Sequence, residues 1–164
     1  MNPRNTEINL LTKECIAIAS AKLLMADKDI TITSICQKAG VSRNAFYRNF
    51  DSIDDVFIYY LILGWAEYSK ENKVEEEPQS EIGKHLIRYF YSKREFVKAL
   101  KTHNQVHLVE QLFVKVIVPS ETNGATRYIL YGTAYFTYGL IRAMIDNDFK
   151  DSPEEIERMF LSAK

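Results

Sequence analysis

Cysteine, net charge, long apolar runs and catalytic fingerprints are all scarce in this 164-residue chain, and each scarcity excludes something. Two cysteines, Cys15 and Cys36, in no CxxC spacing, are too few for a disulfide-stapled secreted scaffold. With 21 Lys+Arg against 22 Asp+Glu the formal charge is −1, which excludes a protein that holds nucleic acid by bulk electrostatics alone but not a local DNA-reading patch. The longest nearly apolar run, Val56 to Ala66, is too short to span a bilayer and contains Tyr59, Tyr60 and Gly64. The first fifteen residues hold no apolar export segment, so a cytoplasmic protein with reduced thiols and no membrane partner is expected. No GxSxG, HExxH, Walker or dinucleotide fingerprint occurs, so neither enzymatic activity nor a cofactor is expected.

A folded chain is nonetheless implied by 46% hydrophobic and 26% charged residues. The apolar residues recur mostly at three and four, as helices require. Leu11, Cys15, Ala19 and Leu23, joined by Ile16, form one stripe, and both cysteines read as small core residues. Phe90, Phe96, Val97 and Leu100 mark a second region, broken near Ser92, and Val106, Val109, Phe113 and Ile117 a third. Ile30–Thr33 and Val114–Val118 would pass locally as strands but have no partner of comparable quality, so the expected fold class is all-α. Thr31, Ser42 and Ser52 are candidate helix caps, and Gly40 can supply the positive φ that ends a helix. Ser152-Pro153-Glu154-Glu155 is the strongest helix start: a cap, Pro in the first turn and Glu three residues on. Glu75-Glu76-Glu77-Pro78, within the charged stretch from Lys70 to Ser80, reads as a solvated loop between an early and a later helical unit.

The informative segment is TITSICQKAGVSRNAFYRNFDSIDDVF, Thr31 to Phe57. A short helix, a Gly-centred turn and a second short helix form a helix-turn-helix. Its close crossing demands a small residue four before the glycine, where Cys36 stands, and apolar locks, which Ile35, Ala39, Val41 and Phe46 supply. Ser42 then opens a helix whose first turn could enter a major groove. Thr31, Ile32, Ile35, Cys36, Ala39, Gly40, Val41, Ser42, Phe46, Tyr47 and Phe50 together resemble the N-terminal domain of the tetracycline-repressor (TetR) family, with the resemblance extending over about residues 10–60.

The resemblance implies a three-helix DNA-binding domain over residues 1–50 and a helical ligand-binding and dimerisation bundle over 51–164. It implies that Ser42, Tyr47 and Thr31 or Thr33 bind phosphates. Arg43 and Asn44 are expected to read bases, since Arg suits the O6/N7 edge of guanine and Asn the N6/N7 edge of adenine; Arg48 would meet phosphate or base. One departure stands out: members commonly carry Lys-x-Lys at the start of the fourth helix, where this chain has Asp51 and Ile53, then Asp54 and Asp55. Residues 1–63 hold seven Lys+Arg and seven Asp+Glu, so the reading head is neutral.

Aromatic residues are dense after residue 56, and a ligand cavity edged by Tyr60, Trp65, Tyr89, Phe96 and His107 is one reading of them; a plain core is the other. Gly132, Phe136, Gly139 and Ala143 share one face of a helix from about Tyr128 to Asn147, which suits either an intramolecular crossing or, as the resemblance implies, a dimer interface. His103, His107 and Glu110 have helical spacing for metal ligands, but without further clustered ligands they read as a polar face, and no metal is expected. The expected function is a homodimeric transcriptional regulator, a repressor released by a small-molecule effector from a palindromic double-stranded DNA operator. The alternative is a co-activator or protein-partnered adaptor on the same scaffold with weak DNA binding.

Overall fold

The computed structural model describes the backbone of residues 3–78 and 81–161 and the side chains of residues 8–78 and 81–159; Ser80, at the end of the charged stretch, lies outside the described residues. Among the described residues there are nine α-helices, one 3-10 turn and no strand, so the fold is all-α. Both strand-like segments yield to helix chemistry. Thr31 caps α2, and Val114 to Ile117 complete the last turn of α7 (His107–Ile117).

The chain divides into two compact units, Met1–Trp65 and Ala66–Lys164. The division falls within α4 (Ile53–Glu71), later than the 1–50 and 51–164 division drawn from the sequence. The physical reason is that the start of α4 belongs to the first core: Val56 is buried in it, and Ile53, Tyr59 and Tyr60 pack against it.

In the first unit, α1 (Pro3–Met25) packs on α2 (Ile32–Ala39) and α3 (Arg43–Asn49). Ile16, Ala17, Ile35, Cys36, Phe46 and Phe50 form the centre. Lys13 lies over the Phe50 and Tyr59 rings at 5.4 and 5.5 Å, a cation–π seal on the edge of this core. The expected α1 stripe is split, however. Ile16 and Ala19 are buried, but Leu11 and Cys15 are exposed on the opposite side, so Cys15 is not a core residue.

The second unit holds the end of α4, the 3-10 turn Val74–Glu76, α5 (Ile82–Ser92), α6 (Arg94–Thr102), α7, α8 (Gly124–Asp146) and α9 (Pro153–Leu161). The turn replaces part of the expected loop and buries Val74. Phe90 stacks on Phe113 at 5.5 Å, joining α5 to α7, and Val97, Leu100, Leu108 and Ile141 are fully buried. Arg88 of α5 pairs through both Nε and Nη2 with Glu157 of α9 at 2.8 and 3.0 Å. Lys101 of α6 donates to the Ile145 carbonyl at 3.0 Å and to Asp148 at 2.6 Å, holding the C-terminal end of α8. His85 is buried between Tyr68 and Glu77: its Nε2 meets the Glu77 carboxylate at 3.1 Å and its Nδ1 the Tyr68 hydroxyl at 3.3 Å. An ionised Glu77 only accepts, so Nε2 carries the proton and Nδ1 accepts from the Tyr68 O–H when the ring is neutral.

Candidate nucleic-acid interface

The segment from Thr31 to Phe50 is built by its caps. The Thr31 hydroxyl accepts from the Ser34 N–H at 3.1 Å and the Ser34 hydroxyl accepts from the Thr31 N–H at 3.0 Å, a reciprocal capping box with Ser in place of Glu. α2 ends at Gly40, whose φ of 69° lies in the left-handed region that glycine enters without a Cβ clash. The Val41 N–H then closes on the Cys36 carbonyl at 3.0 Å, so the chain leaves α2 at a fixed angle. Ser42 restarts the helix two residues after the glycine, accepting the Ala45 N–H at 3.1 Å.

α3 has one inward and one outward face. Phe46 is fully buried and Phe50, just past the helix, nearly so. Asn49 turns its amide back onto the Ala45 carbonyl at 2.7 Å. Arg43 with Tyr47 and Asn44 with Arg48 are two i, i+4 pairs on the outer face, and all four side chains are exposed. Tyr47 is 51% exposed although it touches Phe46 edge-on at 5.6 Å, so its hydroxyl end is left to solvent. From Lys38 to Phe50 the sequence has three basic residues and no acidic one. This stretch therefore carries only positive charge, with the exposed Asp51 directly after it.

The two threonines differ. Thr31 spends its hydroxyl within the capping box, donating to Ser34 Oγ at 3.1 Å, whereas Thr33 is exposed in the first turn of α2. Ser42 accepts in its cap and keeps its own proton for an outside acceptor. The acidic start of α4 is partly engaged: the Ser52 hydroxyl accepts from the Asp55 N–H at 3.1 Å and donates to the Asp55 carboxylate at 2.8 Å, while Asp51 is exposed. Burial pushes the Cys36 thiol upward, against a smaller opposing effect of the Arg43 charge, which leaves it an inert small core residue.

The sequence-derived pocket residues are distributed over both units. Tyr60 packs against the first core and Trp65 ends the same unit; Tyr89 and Phe96 are core residues of the second unit, and His107 is exposed at the start of α7. None of the five lines the cleft of about 340 Å³ between α8 and α9, which is bounded by Leu140, Met144, Phe149, Ile156 and Met159 among others. That cleft depends on a turn in which Asp148 and Phe149 both take positive φ (53° and 55°), for which the sequence carries no glycine signal. His103 ends α6 and His107 begins α7, so their spacing does not share one helix face, and among the described residues no three potential ligands gather as a metal site.

Gly132, Phe136, Gly139 and Ala143 are all exposed on α8, and a Cβ at either glycine would meet nothing within 4 Å. Among the described residues the two glycines therefore serve no intramolecular crossing, while Ala143 lines the cleft between α8 and α9. Phe136 is 77% exposed, and Tyr128 and Ile129 extend the same apolar face. Among the described residues no helix is long and apolar enough to cross a membrane. No protein-family model matches the chain, and no curated protein matches it.

Proposed function

We propose that the protein is a DNA-binding transcriptional regulator of the TetR type, acting as a homodimer. The observation that carries the reading is the outer face of α3: Arg43, Asn44, Tyr47 and Arg48 stand exposed on a helix whose inner face is anchored by Phe46, with Ser42 at its start. Apart from the edge-on contact of Tyr47 with Phe46, these residues have no packing task there, and they are the types that read base edges and hold phosphates. Arg43 and Asn44, on the first turn, read bases; Ser42, Thr33, Tyr47 and Arg48 hold the backbone. Thr31 acts through the α2 cap.

The exposed stripe Gly132, Phe136, Gly139 and Ala143 supports a two-fold contact between subunits, since small residues admit a second helix closely and Phe136 gains by burial. Two reading heads about one DNA turn apart then require a palindromic operator. A small-molecule effector that favours a different head separation releases the DNA, because ligand and DNA bind opposing states. Footprinting on the DNA upstream of the protein's own gene tests the reading. A protected palindrome with half-sites about 10 base pairs apart supports it; no protection at low salt contradicts it. The exposed Asp51 favours the alternative, a protein-partnered adaptor with weak DNA contacts, and that outcome would support it.

A further inference from the structure

α1 is apolar on two opposite sides. Ile16, Ala17, Ala19 and Leu24 are buried within the first unit. The opposite side carries Ile8, Leu11, Cys15, Ile18 and Met25, with Lys22 between the last two, all of them exposed; Leu11 is 56% and Ile18 42% exposed. Their spacing alternates three and four, the seam of a helix that packs lengthwise against another helix. A helix apolar all round belongs in an interior, yet only one side of this one is covered.

We propose that this seam is a contact surface for a second copy of the chain, with the two α1 helices packed antiparallel. The choice of occupant rests on self-complementarity and charge. An isologous contact sets the same surface against itself. Run antiparallel, the seam pairs Ile8 with Met25 of the second copy, Cys15 with Ile18, and Leu11 with the aliphatic stem of Lys22. Glu14, flanking the N-terminal half, then comes toward Lys22 of the second copy, and the two helix dipoles oppose. A parallel pairing would instead stack Lys22, which lies within the seam, on Lys22 of the second copy. The seam lies on the side of α1 away from the core that anchors α3, so it and the face bearing Arg43 and Asn44 can be occupied together. The contact is independent of the α8 stripe.

The test is sedimentation velocity of the full chain over a concentration series, joined to cross-linking with a short bismaleimide. Cys36 is buried, so Cys15 is the reporting thiol. Wild-type protein should associate with concentration, and Cys15 of two copies should be bridged, whereas Cys15→Ser abolishes the bridge. Ile18→Glu should weaken association by about tenfold or more, and Ile18→Gln in the same direction; the position is exposed, so circular dichroism should be unchanged. Lys22→Glu should weaken the contact and Lys22→Glu with Glu14→Lys should restore it. Phe136→Glu should leave the Cys15 bridge intact, separating this surface from the proposed α8 interface. Equal masses for wild type and Ile18→Glu at every concentration, with no Cys15 bridge, would overturn the proposal, whatever else covers the seam. A bridge with no rescue by the charge exchange would overturn the antiparallel pairing.

Discussion

Gly40 and the residues after it set the direction of the outer face of α3. A Cβ at Gly40 would meet no neighbour within 4 Å, so the cost of Gly40→Ala lies in the backbone alone. Holding a non-glycine residue at φ 69° should cost about 1–2 kcal/mol, read as a lower urea midpoint at unchanged m-value. The proposed function divides the outward residues by role. Arg43→Ala should relax discrimination at one base pair by about 1–3 kcal/mol, while Tyr47→Phe should weaken all sites alike. Competition titrations with single-base operator variants distinguish the two patterns, and uniform loss in both mutants would refute the division.

At the scale of elements, capping chemistry made the chain most legible. Thr31, Gly40, Ser42, Ser52 and Ser152 each bound a helix where their side-chain and backbone chemistry requires, and the bounds of α2 and α3 follow from the first three. Periodicity was less informative where a helix has two apolar faces. In α1 it grouped Leu11 and Cys15 with Ala19, because spacing alone does not say which side meets the core. The α8–α9 turn was illegible because Asp148 and Phe149 adopt the left-handed region without glycine. Tyr89 and Phe96 are buried core residues whereas Tyr60 and Trp65 are half-buried, a difference that composition does not carry.

The α9 cap also carries a pH dependence. The Ser152 N–H, donating to Glu155 at 2.8 Å, and then its side chain hold the Glu155 carboxyl below its ordinary value of about 4.5. Lys101 similarly holds Asp148 below 3.8, first through its hydrogen bond. A carboxyl lowered in the folded state contributes fully above its unfolded value and loses that contribution as pH falls through the folded one. Glu155→Gln should therefore flatten the fall of the urea midpoint between neutral pH and acid below 4.5. An unchanged slope would show that the cap does not titrate with folding.

For the whole molecule, the proposed DNA binding at near-neutral charge requires a few placed contacts doubled by association. Phe136→Glu, at an exposed position, should leave the helical spectrum unchanged, shift the mass toward the monomer and weaken operator binding by at least about tenfold, as light scattering and titration would read. The most direct test of DNA reading is a fluorescence-anisotropy titration of the palindromic duplex from the protein's own upstream region, against a scrambled duplex, across a salt series. The account predicts selective binding by wild type, weakening with salt and losing selectivity in Arg43→Ala. Equal, negligible binding of both duplexes at low salt would contradict it.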